Sequence, residues 1–163
     1  MARVYLGIGS NIDRHKHILA ALCALRNEFG ELIVSPVYES EAIGFSGDPF
    51  FNLAVGLDTE LSVGALQQSM KGIEDQNGRV RGGPKFSSRT LDIDILTYDA
   101  LVGEYDGVQL PREEILRNAF VLWPLSEIAA HEEHPQLKQT YQYLWSRYDK
   151  SKQALWPVDV QFI

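Results

Sequence analysis

RTLDIDIL, residues 89–96, is the stretch on which the reading of this chain turns. Leu91, Ile93 and Ile95 alternate with Asp92 and Asp94, the period of a strand with one buried face. Aspartate is depleted in strands, and like charges on one face repel each other. Residues i and i+2 project from the same side, roughly 6–7 Å apart along the strand. Asp92 and Asp94 therefore converge while the three aliphatic side chains point into a core. Two arrangements accommodate them. In one, an antiparallel sheet has a wet face on which both acids are solvated. In the other, the two carboxylates surround a divalent cation, and hard oxygen donors without nearby Cys or clustered His favour Mg²⁺ over zinc.

The segment just upstream weighs on that choice. Residues 77–89, NGRVRGGPKFSSR, carry Arg79, Arg81, Lys85 and Arg89 and no acid. A basic, glycine-containing loop beside two metal-competent carboxylates is a parts list for a nucleoside triphosphate. Arginine forks clamp phosphates bidentately, and Gly82 and Gly83 let the segment close over a substrate. The blander reading of the loop is a solvated turn.

The chain is otherwise acidic, with a formal net charge of −7 over 163 residues. That balance argues against general nucleic-acid or anionic-membrane binding, so the local basic loop points to a small, multiply charged anion. With 45% hydrophobic and 23% charged residues, the composition is that of one soluble globular domain, residues 1–163. The single Cys23, in an apolar helical run, reads as a small buried hydrophobe. His15, His17, His131 and His134 show no metal spacing and read as surface residues. No signal-peptide pattern or membrane span is evident. The expectation is a cytoplasmic protein, monomeric, with no membrane and no nucleic-acid partner.

Periodicity orders the elements. Residues 3–9 read as a strand and 14–29 as a helix, with Asn11 or Asp13 as N-cap and Gly30 as stop. Residues 31–40 read as a second strand with an edge or bulge at Pro36, 41–50 as a loop, and 50–59 as a third strand. A helix capped by Ser62 follows, carrying Leu66, Met70 and Ile73 on one stripe, and then comes the acidic strand. This β-α-β-β-α-β order predicts an α+β, ferredoxin-like core, an antiparallel sheet with both helices on one face. A C-terminal helical and strand extension completes it: a hairpin turning at Gly103 and Asp106–Gly107, a helical segment broken or kinked at Pro124, an amphipathic helix over about 136–149, and a last strand in ALWPVDVQFI.

Several blocks in order give the chain a family likeness: GIGSN, FFNLAV, IEDQNGRVR, RTLDIDIL, the Leu110–Pro111 pair and AFVLWPLSEIA. Together they resemble the 6-hydroxymethyl-7,8-dihydropterin pyrophosphokinases of folate biosynthesis. The resemblance implies transfer of the terminal diphosphate of ATP to the pterin hydroxymethyl group, releasing AMP. It implies that Asp92 and Asp94 hold two Mg²⁺ ions, with Arg79, Arg81 and Arg89 completing the catalytic set. Lys71, Glu74, Arg79, Arg81, Lys85, Arg89, Ile95 and Arg112 would line the ATP site. Ile43, Gly44, Phe50, Asn52, Phe86 and Phe120 would line the pterin site, with two aromatics sandwiching the heterocycle and the Asn52 amide bonding its edge.

The chain departs from the family pattern at Arg112, where His is usual, and at Asn118, where Arg is usual. Lys85 and Phe86 stand in place of Arg and Trp, and Ser87–Ser88 in place of Gly-Pro. Arg112 would supply the cation missing at 118. Two rival readings follow from these departures. One is a relative acting weakly or on another alcohol; the other is a non-catalytic pterin- or nucleotide-binding module.

Overall fold

The computed structural model describes residues 1–41, 47–79, 89–160 and 162. Its centre is an antiparallel sheet. Strand β1 (Ala2–Ser10) pairs with β4 (Phe50–Thr59) on one side and with β5 (Asp92–Tyr98) on the other. Beyond β4 lie β2 (Ile33–Val34) and β3 (Val37–Ser40), and β8 (Leu155–Val158) extends the sheet past β3. The order is β5-β1-β4-β3-β8, with β2 also on β4. A separate hairpin joins β6 (Gly103–Tyr105) to β7 (Val108–Leu110).

The expected second strand is split in two. Pro36 has no N–H to give, and Ser35 repairs the gap: its N–H donates to the Ala54 carbonyl and its Oγ accepts from the Ala54 N–H.

Helices α1 (Arg14–Phe29) and α2 (Val63–Gln76) cover one face of the sheet. Their apolar stripes, Ile18, Leu22 and Leu25 on α1 and Leu66, Met70 and Ile73 on α2, meet Val4, Leu6, Ile8, Leu53, Val55, Ile93 and Ile95. Ser62 caps α2 as expected, its side chain accepting from the Ala65 N–H. Asp13 stands at the α1 N-cap in a left-handed conformation (φ 46°), and its side chain makes no capping bond.

The opposite face is only partly covered. A second cluster of Tyr5, Ala54, Leu96, Ile115, Leu122, Leu125, Ala129 and Tyr141 binds α3 (Glu114–Arg117), α4 (Ala119–Ile128) and α5 (Tyr141–Arg147) to it. Gly56, opposite Tyr5, leaves room for the phenol ring, since a β-carbon there would come within 2.8 Å of it. The Tyr5 hydroxyl then donates to Glu132.

Several expectations are corrected. The helical segment breaks at Asn118, in extended backbone, whereas Pro124 is carried inside α4. Gln153 explains the break: its Oε1 accepts the first N–H of α4, from Ala119, and its Nε2 donates to Asn118 Oδ1. The last helix is seven residues long because Lys138 takes φ 59° and Thr140 caps at Tyr143 N–H, so 136–140 cannot be helical. Leu137 is left exposed. Cys23 is exposed, because it lies off the α1 stripe. His17 and His134 are buried, each using Nδ1 in a local bond: His17 to the Ile12 carbonyl, and His134 as acceptor from the N–H groups of Gln136 and Leu137. Among the described residues no helix is long and apolar enough to cross a membrane.

Candidate active site

The uncovered part of the second sheet face carries the acids. Asp92 pairs with Gly9 and Asp94 with Gly7, so neither carboxylate meets a cross-strand side chain. Gly9 pairs in turn with Asn52 on β4, and Asn52 with Tyr38 on β3. Asp92 and Asn52 therefore face each other across a glycine floor two strand spacings wide, roughly 10 Å. A β-carbon at Gly9 would lie 2.9 Å from Asn52 Oδ1 and 3.8 Å from the Phe50 ring. The lack of a side chain at this point keeps the floor open.

Positive charge closes in from three segments. Arg79 Nη1 meets Asp92 Oδ1 at 2.9 Å and donates to the Leu91 carbonyl at 3.1 Å. Arg89 Nη1 approaches the same carboxylate oxygen at 3.4 Å. Arg112 follows the hairpin and places Nη2 3.4 Å from Asp94 Oδ1, with its Nε on Glu114 at 3.3 Å. Asp94 keeps about a quarter of its side-chain surface, yet burial and the neighbouring Asp92 charge push its carboxyl up to about 8, against the pull of Arg112. Among the described residues, the two buried side-chain polar atoms that find no partner, Arg79 Nε and Thr90 Oγ1, both flank this end of β5. Orphaned groups of that kind mark a place where a polar ligand fits.

Glu74, from the last turn of α2, is buried and accepts the Ile93 N–H at 2.7 Å. It thus grips the strand between the two aspartates, and its own carbonyl receives the Arg79 N–H. The Ile95 side chain packs in the α1–α2 core, on the face away from the aspartates. Lys71 is exposed on α2. Asn52 is buried and donates to Ser40 Oγ at 3.1 Å. Phe50 and Phe120 are each half-buried, at the starts of β4 and α4. The structure thus brings Arg79, Arg89, Asp92, Asp94 and Arg112 together, with Asn52 and Phe50 across the glycine floor. Ile43, Gly44, Arg81, Lys85 and Phe86 lie outside the described residues.

Sequence reasoning missed three features. The glycine floor was visible as the alternation Leu6-Gly7-Ile8-Gly9, which pairs apolar residues on one face with glycines on the other. The grip of Glu74 on Ile93 had no sequence signal beyond an acid on the inner side of an amphipathic helix. Asn11 is 1% exposed and binds the main chain at both Arg89 and Asp48; a polar residue at a strand end was its only trace.

Comparison with known proteins bears on this arrangement. Residues 5–130 match the model of the 7,8-dihydro-6-hydroxymethylpterin-pyrophosphokinase family. A 2-amino-4-hydroxy-6-hydroxymethyldihydropteridine pyrophosphokinase of Porphyromonas gingivalis is 37% identical over 143 residues, covering 83% of this chain and 97% of that one. An Aquifex aeolicus protein of the same name is 38% identical, with 83% and 85% covered. Among solved structures, the wild-type HPPK-DHPS of Plasmodium falciparum superposes with a TM-score of 0.70 at 13% identity, a likeness of fold. That match takes in 90% of this chain and 44% of the other, so the chain spans about two fifths of that solved protein. With a family match over residues 5–130 and relatives aligned over nearly their whole length, this chain belongs to the 7,8-dihydro-6-hydroxymethylpterin-pyrophosphokinase family.

Proposed function

We propose that this chain, as one domain over residues 1–163 with a ferredoxin-like core, transfers diphosphate from ATP to 6-hydroxymethyl-7,8-dihydropterin and releases AMP. The strand order β5-β1-β4-β3, with α1 and α2 on one face, supports that core. The observation that carries the function is the site itself: two aspartates on a glycine floor, arginines on one side and a buried asparagine on the other.

In this reading Asn52 and Phe50 seat the pterin, the amide meeting its polar edge and the ring its face. Arg79, Arg89 and Arg112 take the triphosphate, and the unpartnered Arg79 Nε supplies a donor for it. Residues at opposite margins of one sheet face hold the hydroxymethyl group and the β-phosphorus in fixed relation, which lowers the entropic part of the barrier. The hydroxyl oxygen bonds to the β-phosphorus, the bond to the α–β bridging oxygen breaks, AMP leaves, and the hydroxyl proton passes to solvent.

Asp92 and Asp94 fit Mg²⁺: both offer hard oxygens, and a cation beside them would offset the burial and the like-charge repulsion that raise the Asp94 carboxyl. Among the described residues no three such side chains form an all-protein cage, so phosphate oxygens and water would complete the shell of two ions. Bound there with ATP, the metal supplies charge neutralisation and a lowered pKa for the pterin hydroxyl, so that no side-chain base is required.

The departures from the family pattern find places in this reading. Arg112 is the cation beside Asp94, while Asn118 is occupied structurally by Gln153. The acidic charge of −7 disfavours nucleic-acid and anionic-membrane partners.

The test is AMP release from ATP with this pterin and Mg²⁺. Turnover dependent on all three is expected; none, beside a competent control enzyme, overturns the proposal.

A further inference from the structure

The two substrate sides of the site meet at one buried amide. Asn11 follows β1 and is 1% exposed. Its main-chain N–H donates to the Arg89 carbonyl at 3.0 Å, and its Oδ1 accepts from the Arg89 N–H at 2.6 Å. Both main-chain groups of Arg89 are thus held by a single residue. The other end of the same amide, Nδ2, donates to the Asp48 carbonyl at 3.0 Å. Ser10, also buried, adds a bond from Oγ to the Thr90 carbonyl.

Arg89 is one of the two arginines that reach Asp92. Asp48 stands two residues before Phe50 and four before Asn52. A carboxamide is planar and rigid, so its oxygen and nitrogen cannot move independently. A shift of Asp48 turns the amide and carries the acceptor away from the Arg89 N–H. Arg14 Nη1 also holds the neighbouring Pro49 carbonyl, so this end of the segment keeps a second anchor if the Asn11 link is cut.

We infer that Asn11 is a positioning residue that couples the pterin side of the site to the nucleotide side, each substrate tightening the other through the Asp48–Asn11–Arg89 link. The inference rests on the proposed function. Thermodynamic linkage makes the effect reciprocal: whatever factor the pterin adds to nucleotide affinity, the nucleotide adds to pterin affinity.

Asn11→Asp keeps the acceptor for the Arg89 N–H and removes the donor to Asp48. Calorimetry measures the Kd of a non-hydrolysable ATP analogue with Mg²⁺, with and without the pterin. In the wild type the pterin should tighten nucleotide binding about tenfold, within the usual range of coupling between sites. In Asn11→Asp both ligands should still bind, with the factor below about threefold. A purely structural role would weaken both ligands and leave the factor unchanged, and that result overturns the inference. A wild type without coupling overturns it as well.

A second readout needs no variant. Hydrogen exchange at the Arg89 amide of the wild type should slow when the pterin alone is bound; no change there also overturns the inference. If either ligand fails to bind the wild type, the proposed function falls and this inference with it. Binding of both with unchanged coupling removes this inference alone.

Discussion

One face of the sheet is used in two ways. Toward one end, Tyr5, Ala54 and Leu96 are sealed under α4 and α5 with Leu122, Leu125 and Tyr141. Toward the other, the same strands carry Gly7, Gly9, Asp92, Asp94 and Asn52. The first half gives large side chains to a covering layer and draws stability from burial. The second gives up that burial and leaves a floor bounded by charges. The lesson is how a strand tolerates two acids. Opposite each is a glycine, so no cross-strand side chain crowds them, and arginines from outside the strand offset the repulsion.

Substitutions at the two acids test the contrast most severely. Asp92→Ala or Asp94→Ala should lower AMP release at least about a thousandfold, roughly 4 kcal/mol of barrier, with circular dichroism unchanged. Near-normal rates in either variant would contradict a catalytic use of the open half.

The buried side of the same strand should behave in the reverse way. Ile93, 3% exposed, lies between the two acids but faces the helices. Ile93→Ala should cost about 2–4 kcal/mol of stability in urea titration. A negligible loss would mean that the strand is not held by its inner face.

The floor itself comes next in size. Gly9→Ala sets a methyl 2.9 Å from Asn52 Oδ1 and should weaken pterin binding about tenfold, close to 1.4 kcal/mol by calorimetry. Gly7→Ala first meets the flexible end of the Leu96 side chain, at 3.3 Å, and should have a smaller effect. Equal effects would show that the space between Asn52 and Asp92 is not where the pterin lies.

The smallest effect belongs to the sealed half. His134, 1% exposed and edge-on to Tyr141, accepts two main-chain N–H groups through Nδ1 and so must be neutral there. Burial holds its pKa below the usual value. The unfolded chain then takes up a proton that the folded one refuses, so stability is full above the ordinary histidine pKa and falls as pH drops below it. Thermal midpoints measured from pH 7 to pH 5 should decline more for the wild type than for His134→Asn, which keeps an acceptor without titrating. Parallel curves would assign the acid sensitivity elsewhere.

Much of this architecture was legible beforehand. The α1 boundaries, the Ser62 cap, β4, and the alternation of Leu91, Ile93 and Ile95 with the acids follow from period and capping chemistry, and all are found. The misreadings share one cause. Pro124 inside α4, the late start of the 136–149 helix and the burial of His134 all depend on partners far from where local preference is set, such as Gln153, or on a cap chosen among competing turns. For the site, residue types and strand face were readable. The contacts of Arg112 with Asp94 and of Asn11 with Arg89 and Asp48 were not, because they join segments 18 to 78 residues apart in the chain.

By itself, then, the amino-acid order determined which residues alternate, where helices begin, and that two acids share a side beside a run of cations. These are local matters of backbone period and charge. Only the tertiary structure decided that glycines lie opposite those acids, that three arginines reach them, and that one asparagine ties the main chain at Arg89 to that at Asp48. Cross-strand register and long-range hydrogen bonds are set by how the whole core packs, and no short window of sequence contains that information.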